Sequence, residues 1–345
     1  MKSRARKPGD GRRISGGNVT MADIGRLAGV SQVTVSRALS APAKVSPETL
    51  ERIRDAIRVT GFVPNAVAGA LASSKSRLIS ALVPSVTNIV YASMLHAFSN
   101  IMLGHGYQLM LSETGFDPER EEAAISAHLS RRPDALLLTG IHHSAGARRM
   151  LLAAGIPVVE VWDVTETPID CCVGFSHGAA GVAAAEFAHA AGYRQAVTVT
   201  AGDERAIRRR NAFVERFRQL SGGDVMGVDF ASTATLGAGR QALVDLLDRG
   251  MPRGCLVFCS SDQFAQGVLV EARARGLSVP GDLAVIGFGD QQFAAHLDPA
   301  LTSIRVDRDV LGRVAASALL ARFERRADVE AVHDVGFEII RRASA

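Results

Sequence analysis

From Leu78 onward the chain repeats one pattern, an apolar run of four to six residues followed by a stretch with helical spacing. "LISALVPS", "YQLMLSET", "DALLLTGIHH" and "IPVVEVWD" form one set of runs, and "QAVTVTAGD", "MGVDFAS", "GCLVFCSSD" and "LAVIGFGD" form a second. A strand without polar alternation is buried on both faces, which requires helices on both sides of a parallel sheet. Segments such as "GAAGVAAAEFAHAAG" and "GRQALVDLLDRG" supply those helices. Two sets of runs predict an α/β core of two doubly wound parallel-sheet subdomains with a ligand cleft between them. Ligands of open α/β sheets sit outside the carboxyl ends of the strands. The polar residues there, Ser85, Asn88, Thr139, Asp163, Asp203, Ser261, Asp262 and Asp290, are the candidate contacts. Ser, Asn and Asp also cap helices at such turns, so each has a structural use as well.

The amino-terminal part follows a different pattern. "TMADIGRLAGVSQVTVSRAL" carries two apolar-periodic segments on either side of Ala28-Gly29-Val30-Ser31. Thr20 and Asp23 have capping-box spacing, with Met21, Ile24 and Leu27 on one face. Ser31 is placed to cap a second helix whose inward face is Val35 with Ala38 or Leu39, leaving Gln32, Val33, Ser36 and Arg37 outward. Helices this short are marginal alone and require mutual packing. "VSPETLERIRDAIRVTGF" adds a third, with Ser46 as cap, Pro47 at the first helical position and Leu50, Ile53 and Ile57 on one face. The result is an all-α helix-turn-helix domain. Its outward side chains suit base edges: arginine can donate twice to guanine, glutamine can pair with adenine, and an apolar tip can touch a thymine methyl.

Charge supports a nucleic-acid partner. Residues 1 to 76 hold thirteen Lys/Arg against five acids, a net +8, while the remainder holds twenty-six against thirty, a net −4. A basic end on a slightly acidic body is the expected electrostatic footprint of a DNA reader. Residues 1 to 17 read as a disordered basic tail, equally consistent with a solvated segment and with a DNA-contacting arm. The helix-turn-helix domain spans 18 to 64. "VPNAVAGALASSKSR" is too short to hold itself as a helix, and residues 65 to 76 read as a hinge that orders on a partner.

Other function classes fit less well. No apolar run reaches membrane-spanning length and the basic start lacks an apolar signal core, so no membrane is expected and the reading is cytoplasmic. The adjacent Cys171 and Cys172, and Cys255 with Cys259, lack zinc spacing and read as small core residues; neither metal nor cofactor is expected. His142 and His143 read as solvated loop residues. "GFSHG" fits a nucleophile elbow at Ser176, with Asp262 or Asp290 and His296 following in order, but no oxyanion-hole motif precedes it. A sugar-binding transport protein leaves the basic helical end unexplained, and a dinucleotide enzyme lacks its G-x-G-x-x-G.

From about Asn18 to its end the sequence resembles the LacI/GalR repressors. The resemblance rests on "VTMADIGRLAGVSQVTVSRALS", "VSPETLERI", "GFVPNAVAGALAS", "FCSSDQFAQGVLVEARARGLSVPGDLAVIGFGD" and "DPALTSIRVD". It implies a periplasmic-binding-protein-like core over 77–345, with one subdomain at about 77–176 plus 306–334, the other at about 177–305 plus 335–345, and three crossings of the chain between them. It implies that Gln32, Val33 and Arg37 read bases while Ser31, Thr34 and Ser36 lie near phosphates. Asn65 and Leu71 are implied to form a minor-groove hinge helix, Leu71 acting as the wedge. Arg209 and Asp163 match effector-binding positions. A homodimer on a pseudo-palindromic double-stranded operator follows; no carboxy-terminal leucine heptad argues for a tetramer. "IPVVEVWDVTETPIDCCVGFSH" is most similar to the gluconate-operon repressors, which implies a small sugar or sugar-acid effector, with Trp162 over its carbon chain. The sequence departs from the family pattern at Gly25 in the first helix, Gly69 in the hinge, and Val90 and Gly289 in the core.

Overall fold

The computed structural model describes residues 19–64, 75–326 and 330–345. The basic tail, Asn65, Gly69 and Leu71 lie outside the described residues. The chain divides into two compact units at Ser76.

The first unit is a three-helix cluster: α1 (Met21–Ala28), α2 (Gln32–Ser40) and α3 (Pro47–Thr60), with a 3-10 turn at Pro42–Lys44 before α3. Its starts are those expected from the sequence. Thr20 and Asp23 form a reciprocal capping box, Ser31 accepts from the Thr34 amide, and Ser46 accepts from the Thr49 amide ahead of Pro47. Gly29 ends α1 at φ 68°, a left-handed conformation glycine adopts without strain. Ile24, Ala28, Val35, Ala38, Ile53 and Ala56 are buried together. The inward face of α1 therefore continues from Ile24 through Ala28, four residues on, and Leu27 is 59% exposed. On α2, Ala38 takes the inward position and Leu39 lies outside. Gly25 has a steric cause: a Cβ there would come within 2.7 Å of the Val30 carbonyl oxygen, so the tight turn requires glycine.

The second unit holds two six-stranded sheets. The first sheet contains β1 (Leu78–Val83), β2 (Gln108–Glu113), β3 (Ala135–Thr139), β4 (Val158–Val161), β5 (Cys171–Gly174) and β11 (Val332–Asp334), in the order β11-β5-β4-β3-β1-β2. The second has β6 (Ala196–Ala201), β7 (Met226–Phe230), β8 (Cys255–Cys259), β9 (Leu283–Phe288), β10 (Thr302–Arg305) and β12 (Glu338–Ile340), in the order β12-β10-β9-β8-β6-β7. Every neighbouring pair is parallel except β10 with β12. The chain passes from one sheet to the other after β5, after β10 and again after β11.

Helices α4 (Ile89–Gly104), α5 (Pro118–Leu129), α6 (Ala145–Ala154) and α11 (Arg308–Phe323) accompany the first sheet; α7 (His177–Ala190), α8 (Glu204–Ser221), α9 (Leu236–Asp248) and α10 (Asp262–Ala274) accompany the second. Burial of β3, β4, β8 and β9 is almost complete, as their unbroken apolar runs require. All four cysteines are unbridged and buried, and burial pushes the Cys171 thiol up to about 12. His143 departs from the reading of a solvated loop. Its side chain is 1% exposed and lies between two carboxylates, Nδ1 3.1 Å from Glu121 and Nε2 3.3 Å from Glu160. Burial pushes its pKa down, but the neighbouring carboxylates of Glu121 and Glu160 outweigh that and lift it to about 9. Nothing in a His-His dipeptide distinguishes the buried ring from its neighbour, and His142 is exposed.

Candidate functional site

In the first unit, α2 turns one whole face outward. Ser31, Gln32, Val33, Ser36 and Arg37 are exposed, with Val33 at 65%, while Val35 and Ala38 anchor the opposite face. An exposed valine at the start of a helix beside an exposed arginine one turn on suits a groove reader better than a solvated surface. The side chains of Arg37 and Gln32 have no hydrogen-bond or ion-pair partner among the described residues, so their donors are available. The Ser31 and Thr34 hydroxyls lie 3.0 Å apart in the cap at the start of this helix.

In the second unit, strand ends and helix starts from both sheets enclose a cavity of about 110 Å³. One lobe contributes Asn88, Val90 and Tyr91 from the start of α4, Phe116 after β2 and Trp162 after β4. The other contributes His177 at the start of α7, Asp203, Arg205 and Arg209 around the start of α8, Ser260, Ser261 and Gln263 after β8, and Phe288 and Gln291 after β9. Four helices open on this cavity, so their unpaired amides and positive dipole ends converge there.

Four expected effector contacts, Asn88, Trp162, Arg209 and Ser261, line the cavity together with the strand-end candidate Asp203. Asn88, Asp203 and Ser261 also cap their helices, accepting from Val90, Ala206 and Phe264 amides. The other expected residues do not line it. Ser85 bonds the Thr87 hydroxyl and the Asn88 amide. Asp163 is buried and paired with Arg208 across the lobes. Asp262 accepts from the Ser303 hydroxyl and the Gln291 amide, 2.6 Å each, and burial raises its pKa to about 6 despite both bonds. Asp290 is paired with Arg342 at 2.6 Å, and Thr139 donates to the Leu82 carbonyl. In these three aspartates the strand-end carboxylate faces a partner inside the protein. Gly289 sits at φ 122°, where an acidic side chain would be strained.

Arg205, Tyr91 and His177 were not singled out by their sequence. The signal for Arg205 is its spacing of four from Arg209, which puts both on one face of α8. Both guanidiniums are buried. Arg205 donates to the Tyr91 hydroxyl at 3.0 Å. Arg209 donates to His177 Nδ1 at 2.7 Å and to the Ser260 carbonyl at 3.0 Å, and stacks over the Phe288 ring at 3.7 Å. Neither has an acidic ion-pair partner among the described residues, whereas the adjacent Arg208 pairs with Asp163 and Glu204 and Arg210 with Asp229. Burial lowers Arg209 to about 10, the Asp203 charge opposing that shift. Arg205 Nη1, Arg209 Nε and Trp162 Nε1 are buried without a partner, and all three are donors.

The Ser176 hydroxyl caps α7, accepting from the Ala179 amide, and His296 is exposed in a 3-10 turn. No described histidine bonds Ser176, so the nucleophile-elbow spacing serves as a cap. Among the described residues no helix is long and apolar enough to cross a membrane.

A helix-turn-helix unit with an exposed polar face on its second helix, followed in the chain by a two-lobed core with a cleft, defines a DNA-binding regulator. Residues 20–65 match the family described as bacterial regulatory proteins, lacI family, and residues 185–345 match the periplasmic binding protein-like domain. The HTH-type transcriptional regulator GntR of Pseudomonas aeruginosa is 37% identical over 95% of this chain and 96% of its own. That of Escherichia coli K12 is 32% identical over 92% and 96%. A LacI family regulator from Silicibacter pomeroyi superposes with a TM-score of 0.89 at 31% identity, covering 94% of this chain and 99% of its own. The chain belongs to the LacI family of transcriptional repressors. It is a regulator and not an enzyme, as these relatives are.

Proposed function

We propose that this repressor binds a pseudo-palindromic operator as a homodimer in the cytoplasm and releases it when a gluconate-like sugar acid occupies the cleft. The observation that carries the ligand assignment is the pair Arg205 and Arg209, two buried guanidiniums lining the cavity without an acidic ion-pair partner among the described residues. A buried charge is costly unless compensated, and a ligand carboxylate supplies that compensation through charge-assisted hydrogen bonds. Gln263, Gln291, Asp203 and Asn88 offer donors and acceptors for hydroxyl groups, and the Trp162 and Phe116 rings a surface for the carbon chain. Gln32, Val33 and Arg37 read bases, with Ser31, Thr34 and Ser36 near phosphates. By resemblance to the family, Asn65 and Leu71 engage the minor groove, and Leu71→Ala is expected to reduce DNA bending in a gel-phasing assay while leaving gluconate affinity intact. Effector and operator then shift each other's affinity by one common factor. Calorimetry of the full chain with gluconate and with glucose tests the reading. Tighter binding of the neutral sugar than of its acid would refute it.

A further inference from the structure

His177 opens α7 at the floor of the cleft and is 3% exposed. One ring nitrogen, Nε2, lies 2.8 Å from the Trp162 carbonyl oxygen, and the other, Nδ1, lies 2.7 Å from Arg209 Nη1. A carbonyl only accepts and a guanidinium only donates, so the two partners require a neutral imidazole with its proton on Nε2. Phe175 packs against the ring at 4.4 Å and Phe288 at 6.2 Å. The charged groups that act on it are Arg209, Arg205 and Arg208, all from α8; burial first, and then these cations, hold its pKa well below the ordinary histidine range.

We infer that His177 is a positioning residue for the effector site, its Nδ1 orienting Arg209 while its Nε2 ties that arginine to the backbone of the opposite lobe. The inference rests on the reading of the cleft as the effector site. A carboxylate in the same place would orient Arg209 equally well but would cancel its charge. A neutral imidazole and the Ser260 carbonyl instead fix the guanidinium through two neutral acceptors, and the Phe288 ring supports its face, so the positive charge stays available to a ligand anion. The far end of the link is equally constrained. Trp162 holds a left-handed backbone at φ 71°, unusual for a bulky residue, with its ring set edge-on to Tyr91 at 5.7 Å and Phe175 at 6.5 Å.

The variants His177→Asn, His177→Gln and His177→Asp separate the two arms. The Asn amide oxygen reaches the Nδ1 position, the Gln amide reaches the Nε2 position, and Asp supplies an acceptor that carries charge. Calorimetry of the full chain with gluconate should give an affinity within about threefold of the original for Asn and weaker by more than about tenfold for Gln and Asp. Operator affinity measured without gluconate should stay unchanged in all three. Imidazole nitrogen NMR of the full chain provides a readout independent of the ligand. It should find His177 neutral with the proton on Nε2 across neutral pH, and Arg209→Gln should raise its pKa. Equal losses in Asn and Gln, no loss in any variant, or a proton on Nδ1 would overturn the role. An original protein that ignores gluconate overturns the ligand assignment alone, and the ring tautomer then decides the positioning role.

Discussion

The reading helix and the cleft use arginine in opposite ways. The Arg37 side chain stands exposed on α2 with no partner among the described residues, and water solvates it at no cost to the fold. Arg205 and Arg209 are buried on α8, their donors met in part by a phenol, an imidazole and a carbonyl, with no acid in ion-pair contact among the described residues. An exposed cation gains from DNA mostly what counterion release and base geometry give, whereas a buried one awaits an anion that ends an existing penalty. The operator contact should therefore respond to salt, and the effector contact to chemical identity.

Four measurements bear on that contrast. Operator affinity should fall by about a thousandfold between about 50 and 200 mM salt, because two basic ends per dimer release many counterions, while gluconate affinity changes little. Equal salt slopes would erase the distinction. Arg209→Gln should weaken gluconate binding by about 2 to 4 kcal/mol in calorimetry and leave operator binding without ligand unaltered; unchanged gluconate affinity would place this arginine with the solvated ones. Arg37→Ala should lose about 1 to 3 kcal/mol of discrimination at one base pair per half-site, read by competition with operator variants. Undiminished sequence preference in that variant would remove α2 from base reading. His143 extends the comparison to a buried cation that has its acids. Its pKa is raised to about 9, so its stabilisation is complete below the ordinary histidine pKa and is lost as pH rises through about 9. Denaturant titrations should find the core losing on the order of 1 to 2 kcal/mol between about pH 6.5 and 9, with the loss absent in His143→Gln.

The architecture and the outward face of α2 were largely legible because both follow from periodicity. Unbroken apolar runs such as "CLVFC" and "LAVIGF" identify parallel strands, and the spacing of Val35 and Ala38 sets which side of α2 turns outward. Caps were legible for the same reason, since Thr20, Ser31 and Ser46 act on amides three residues away. The cleft was legible only in outline. Within Arg208-Arg209-Arg210 one residue faces the cavity and its neighbours pair with acids, and helical phase separates them only once an anchor such as Arg205 is known. Asp163, Asp262 and Asp290 carry the same local signal as Asp203, yet their partners are Arg208, Ser303 and Arg342, up to 52 residues away. Long-range pairing of this kind has no periodicity to reveal it.

The contacts that close the cleft also bear on time. Arg208 with Asp163, and Arg205 with Tyr91, tie α8 to the opposite lobe beside a cavity of about 110 Å³. If the cleft takes a polyhydroxy acid as proposed and these ties must part to admit it, its association rate is set by how often the lobes separate and should level off at high concentration. On the proposed reading, the delay before transcription responds to a nutrient pulse is a property of these two contacts between the lobes, and Arg208→Gln should shorten it without touching a group that holds the ligand.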